Sequence, residues 1–311
     1  MSRWSVALDQ CGISDPGLRR DYGMQRTIAR RFAPAEYLAV WLLLPVELHP
    51  SIVVAVAFMH ETDNRIDTGE MSARQEALRS WDQQVTAALE SLGNAELPML
   101  RALADTTRRH PHMAARVRAF LDGASTEVAW TGFDTESDFQ AYVDSYSLPA
   151  LMLTASLLQP PSEAGALTFL AGCRTLIESM QRIDFLADLA EDTAHGRIGI
   201  PRDDLARFDL KTEDLERSSG EHLPAVERLV AAQARLAGTA LDSCRALPNL
   251  VEPGYRPFLD TLIAVQLLRL QDVERKGGSL LERGARPEVS ATLRLLLRQY
   301  RNARRQRRRS G

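Results

Sequence analysis

Apolar residues recur three or four positions apart through most of this chain, with charged residues filling the positions between. That spacing returns side chains to one face of an α-helix, so the pattern predicts an all-α protein. Helices are expected over Tyr22–Phe32, Glu36–Leu44, 51–67, 71–92, Leu97–Arg109, Met113–Trp130, Ser137–Leu158, 163–194, Glu221–Cys244 and Pro257–Lys276. Ser51 is the expected N-cap of the third of these. Breakers fall between them: Pro34, Pro45, Gly93-Asn94, His110-Pro111-His112, Gln159-Pro160-Pro161-Ser162 and Gly277-Gly278. Residues 1–20 read as a leader or short first helix, and Asp203, Asp204 and Asp209 to Glu216 as a solvated surface segment. With no internal repeat and no separate linker, residues 21–297 read as one domain.

Two stretches place acids where a bare helix would avoid them. Gln181 to Asp192 reads QRIDFLADLAED, with Asp184, Asp188 and Asp192 four apart and Glu191 beside them. Phe58 to Asp67 reads FMHETDNRID, and Asp63 and Asp67 are again four apart, after an apolar run from Ile52 to Met59. A step of four stacks like charges on one helix face, which destabilises the helix unless a cation compensates. Two readings are open. The stripes are solvated acidic faces, or two helices present carboxylates across a cavity. The second arrangement suits Mg²⁺, which takes hard oxygen ligands and is shared between a few carboxylates and substrate phosphates. Ionisation of an organic diphosphate is the chemistry that needs it.

On these residues the chain resembles the squalene/phytoene synthase family of all-helical prenyltransferases, over roughly residues 20 to 290. The family carries two Asp-x-x-x-Asp motifs on facing helices. Asp63-Asn64-Arg65-Ile66-Asp67 is similar to the first, and Asp188-Leu189-Ala190-Glu191-Asp192 to the second. Gln181 and Asp184 fall where the family has Gln and Asn, and GRIGIPRDDLARF from Gly196 to Phe208 resembles its following loop. The resemblance implies a helical bundle around a central cavity, Mg²⁺ held by Asp63, Asp67, Asp188 and Asp192, and an allylic prenyl diphosphate as donor. It also implies substrate contacts at Gln181, Arg197 and Tyr142.

Departures from the family pattern bear on the reaction. His60 stands where an arginine usually grips diphosphate, Glu36 lies where Ser and basic residues are usual, and Gln266 replaces a tyrosine. Arg283 falls near a later family arginine, while Arg26, Arg30 and Arg31 are further candidate phosphate contacts. Gly199 takes a slot usually filled by Tyr. Leu148, Pro149, Ala150 and Leu151 are bulkier than the small residues expected near the channel break, which points to a shorter prenyl group. These changes favour an acceptor without a diphosphate. The expected reaction is therefore transfer of a dimethylallyl group to a carbon of an aromatic, carbazole- or indole-like acceptor. Asp184 is then a candidate base for the ring proton. The alternatives are head-to-head condensation of two prenyl diphosphates and terpene cyclisation.

Composition narrows the setting. The 311 residues are 45% hydrophobic and 25% charged, enough for a large core. No apolar run reaches the ~18 residues of a membrane span. Cys11, Cys173 and Cys244 are isolated and odd in number, as in a cytoplasmic protein with reduced thiols. The net charge is −3, yet the last eleven residues hold six arginines and no acid, so the remainder carries −9. An acidic body argues against a nucleic-acid-binding core. The basic tail, 298–311, reads as disordered, with anionic lipid or nucleic acid as possible contacts. Oligomeric state has no signature in the sequence.

Overall fold

The computed structural model describes residues 2–91, 95–216, 222–285 and 289–310. Among them there is no strand: sixteen α-helices follow one another, joined by short 3₁₀ segments and one π turn. Their internal contacts divide the chain into two compact units. The first comprises Met1–Ala129, Pro149–Pro161 and Val251–Phe258, and the second Trp130–Leu148, Ser162–Leu250 and Leu259–Gly311. The Gly93-Asn94 turn lies outside the described residues.

The first unit is built around the helix His49–Ile66, which packs against Pro16–Phe32, Met71–Glu90 and Pro98–Arg109. Ile52, Val53, Val54, Ala55, Ala57 and Phe58 are all buried, so this helix is apolar on every side until its last two turns. Those turns carry the first acidic pair, and the motif begins where the helix leaves the core. Ser51 does not cap it. Pro50 is favoured in the first turn, where its missing N–H costs nothing, and the helix starts at His49. Ser51 is instead buried, its hydroxyl 3.0 Å from His110 Nε2. Pro16–Phe32 is locked to Pro98–Arg109 by buried polar contacts. Arg101 makes a two-pronged bond to Asp21 (2.7 and 2.8 Å), and the Tyr22 hydroxyl donates to Asp105 at 3.0 Å. Near the start of the described residues, Arg3–Gln10 is a helix capped by Ser2, with Trp4, Ala7 and Leu8 buried.

In the second unit Glu163–Ala187 is central, packed along Leu223–Ser243. The expected helix 163–194 is two helices, because the chain breaks at Asp188 (φ −98°, ψ 9°) before Leu189–Ala194. The cause is a distant residue. The amide of Ala285 donates to the carbonyl of Ala187 at 2.8 Å. A Cβ on Gly284 would stand 2.5 Å from that same carbonyl oxygen, so only glycine lets this segment approach.

One further expectation is corrected in this unit. The segment after Asp203 is not simply solvated: Asp204, Leu205, Leu210 and Leu215 are buried, the leucines with Ile198, Ile200 and Leu229 in one core cluster. A last helix, Val289–Ser310, takes in arginines of the basic tail.

Candidate active site

The second motif is the better defined half of the site. Asp188 is exposed at the helix break and Asp192 is half-buried one turn later. Burial first, and then the negative charge of Asp188, push the Asp192 carboxyl up to about 6, with Arg197 pulling the other way. A carboxyl raised by a neighbouring carboxylate is a group that gains from a cation. A cleft of about 230 Å³ opens beside the break, lined by Ala187, Asp188, Ala190, Glu191, Gly284 and Ala285. Arg283, adjoining Gly284, is exposed, and its amide donates to Ser279.

The compensating cation demanded by the acidic stripe is present. Arg269 Nη2 stands 2.5 Å from Asp184 Oδ1, and Arg269 Nη1 donates to Gln266 Oε1 at 3.4 Å. Asp184 is thus engaged by a guanidinium. Gln266 is buried beside it. Gln181 accepts from the Ser147 hydroxyl at 3.0 Å, which ties the motif helix to the π turn Val143–Ser147.

An aromatic cluster flanks this helix. Trp130, Phe133, Phe139, Tyr142 and Phe185 pack with ring centres 5.4 to 6.4 Å apart, and Tyr142 is buried among them. The Arg197 guanidinium lies 4.8 Å from the Trp130 ring centre, and its backbone N–H donates to Asp192 at 2.9 Å. Arg197 is therefore fixed between the motif and the aromatic wall. Gly199 meets the same wall: a Cβ there would fall 2.1 Å from the Phe185 ring. Phe185 fills the space that a side chain at 199 needs, so the ring comes from the helix and not from the loop.

One positioning residue escaped the sequence reading. Arg182 is 4% exposed, its guanidinium 4.2 Å from the Phe139 ring centre. It donates to Glu136, to Glu178 (3.2 Å) and to Gln233 (3.1 Å), and Gln233 donates in turn to Asp204 (2.6 Å). This chain ties the motif helix to the loop that follows it. The i, i+4 spacing of Glu178 and Arg182 was the available signal, and it marks an ion pair without showing its burial.

In the first unit, Asp63 is half-buried and Asp67, the C-cap residue, is exposed, its amide donating to Asp63 at 2.9 Å. His60 stacks on Phe32 (4.0 Å) and pairs with Asn64 (3.2 Å). Arg65 bonds Glu61 and lies 4.0 Å from the ring centre of the buried Trp81, which ties this motif helix to Met71–Glu90. Arg26 is held among aromatic side chains. Its guanidinium lies 5.3 Å from the ring centre of Trp4 and 5.1 Å from that of Trp41, and Nε donates to the Tyr37 hydroxyl at 2.7 Å. Tyr37 and Glu36 line a narrow apolar cleft with Ala29, Val40, Val53 and Val56.

Among the described residues no three His, Cys, Asp or Glu side chains gather closely enough to cage an ion. The acids come in pairs. That donor set fits Mg²⁺, which keeps several waters and needs only one or two carboxylates beside a substrate phosphate. It does not fit a fully ligated structural metal.

An all-helical chain with acidic pairs at the ends of two core helices defines a protein of the isoprenoid-synthase fold class. Comparison with known proteins agrees: the squalene/phytoene synthase family model matches residues 30–293, and the chain belongs to that family. It is 32% identical over 282 residues to the bifunctional protein CrtB/UppS of Streptomyces coelicolor, covering 90% of this chain and 48% of that one. It is 28% identical over 194 residues to phytoene synthase of Mycobacterium tuberculosis, covering 62% of each. The chain thus spans about half the length of the Streptomyces relative and under two thirds of the mycobacterial one.

Two solved structures share the fold. A squalene synthase, HpnC, from Alicyclobacillus acidocaldarius matches with a TM-score of 0.72 at 22% identity, covering 86% of this chain and 98% of that one. A dehydrosqualene synthase in complex with ligand matches with a TM-score of 0.76 at 19% identity, covering 94% and 98%.

Proposed function

We propose that this protein condenses two allylic prenyl diphosphates head to head, in the manner of the squalene and phytoene synthases it is similar to. This replaces aromatic alkylation as the leading reading. The observation that carries it is the second motif, where burial, and then the charge of Asp188, hold Asp192 at about 6 beside a cleft. The mycobacterial relative, named phytoene synthase, points to the same reaction.

Asp63 and Asp67 on one helix, and Asp188 and Asp192 on the other, would hold Mg²⁺. The metal supplies neutralisation of the departing pyrophosphate. The chain's own residues do the rest. Arg197, braced on Trp130, and the neighbouring Arg283 offer positive charge to diphosphate oxygens. Arg269, paired with Asp184, supplies a further guanidinium at the motif. The rings of Trp130 and Tyr142 present electron-rich faces, which favour a nearby cation. Ile198, Ile200 and Leu205, buried under the loop, keep that side dry.

A second reading remains transfer of a prenyl group to an aromatic carbon. It rests on Glu36, His60 and Gln266, which take positions where diphosphate-gripping groups are expected. The protein is proposed to act in the cytoplasm; among the described residues no helix is long and apolar enough to cross a membrane.

The deciding experiment offers purified protein Mg²⁺ with farnesyl or geranylgeranyl diphosphate, and separately dimethylallyl diphosphate with a carbazole phenol. A C30 or C40 hydrocarbon supports the condensation. An alkylated phenol without hydrocarbon would establish the second reading in its place.

A further inference from the structure

The helix Val289–Ser310 contributes nothing to the site described above. Its inward side is Leu295, Leu296 and Ala303, all buried. Leu293 and Leu297 face the other way, 44% and 42% exposed, and Arg294, Arg298, Arg301 and Arg304 are exposed with them. At about 100° per residue these six positions fall within an arc of about 140°. Leu293 and Leu297 lie about 40° apart at one edge of the arc, with Arg304 between them. From Val289 to Ser310 there is no acid.

We propose that this helix lies on the surface of an anionic phospholipid bilayer. A leucine pair within a basic face is poorly matched to the phosphates of a nucleic acid, which would engage the arginines and leave the leucines in water. A bilayer interface accepts both. Leucines enter the boundary between headgroups and acyl chains, and arginine stems lie along it with their guanidinium groups at the lipid phosphates. Each arginine near such a surface strengthens binding about fivefold. The rest of the chain, at −11, is repelled by the same surface, which confines contact to the basic helix. The proposal depends on the charge and burial pattern of this helix alone and does not rest on the reaction assigned to the site.

The test is co-sedimentation of the full-length protein with vesicles of phosphatidylcholine alone, or mixed equally with phosphatidylglycerol. The expected result is binding to the mixed vesicles at least about tenfold tighter than to the neutral ones, and release at high salt. The combined substitutions Arg298→Gln, Arg301→Gln and Arg304→Gln should weaken binding about a hundredfold. Leu293→Ser with Leu297→Ser should weaken it about tenfold. Thermal unfolding of each variant checks the fold, and the salt response of the unaltered protein decides should a variant unfold. Equal binding to both vesicle types, unchanged binding by both folded variants, or preferential retention on duplex DNA or RNA would overturn the proposal. A self-association lost in the same variants, without vesicle binding, would assign the face to a second copy and overturn it as well.

Discussion

Arg269 and Asp184 meet at 2.5 Å, one turn ahead of Asp188 on the motif helix, so a single guanidinium offsets the first of three stacked acids. Both partners are partly exposed, at 23% and 37%, and the pair itself adds at most about 1 kcal/mol. Its larger effect is on the charge of the site. Arg269→Leu should raise the KM for the prenyl diphosphate about tenfold, as the loss of one charge-assisted contact does, with little change in melting temperature. Asp184→Asn should keep activity within about threefold, because a neutral amide still bonds a guanidinium. Steady-state kinetics on both variants and the double variant check this. Equal collapse of kcat in Asp184→Asn would instead make Asp184 a group that acts on the substrate.

Gly199 and Phe185 compete for one volume. Gly199→Ala should destabilise the protein by about 1–3 kcal/mol, the usual cost of overpacking a core. Adding Phe185→Leu should return part of that loss. Chemical denaturation of the two variants measures it, and a fully tolerated Gly199→Ala would show that the ring moves aside cheaply.

Gly284 is a sharper case, because the obstacle is the Ala187 carbonyl oxygen and not a flexible side chain. Gly284→Ala should break the Ala285–Ala187 hydrogen bond, cost about 1–3 kcal/mol, and let the break at Asp188 relax towards a straight helix. Activity should then fall more than stability does. Measuring the two together separates a local rearrangement of the motif from general unfolding.

Asp192 sets a pH dependence. Its carboxyl stands at about 6 in the folded protein against 3.8 in the ordinary case. The fold therefore favours the protonated form. That contribution is fully present below the ordinary value and is lost as pH rises through about 6. Without divalent metal, stability should decline across this window. With Mg²⁺, which binds the ionised form, the gain in melting temperature should grow between about pH 5 and 7. Asp192→Asn should flatten both trends, as thermal melts over a pH series would record.

Much of this arrangement was legible in the chain. Apolar recurrence gave the helices, and the four-residue spacing of Asp63 with Asp67 and of Asp184 with Asp188 and Asp192 marked the acids. The same spacing demanded a cation, which Arg269 supplies from another helix. What escaped was non-local. The break at Asp188 is made by Ala285 and Gly284, which bear no pattern pointing to residue 187. The expected cap at Ser51 failed because Pro50 sets the start of that helix. Arg182 reads as one more charge on a helix, and only tertiary packing shows it buried against Phe139 and joined through Gln233 to Asp204. The leader was judged by composition, which does not register Trp4 and Leu8 finding partners.

The central claim is that the two acidic pairs together expel pyrophosphate with Mg²⁺. Pyrophosphate release from farnesyl diphosphate in a single turnover tests it most directly, comparing the unaltered protein with Asp63→Asn, Asp67→Asn, Asp188→Asn and Asp192→Asn. The account predicts metal-dependent release that falls at least about a hundredfold in every variant, as removal of a group stabilising the leaving charge does. Release that persists without divalent metal, or at the unaltered rate once either pair is neutralised, would contradict it.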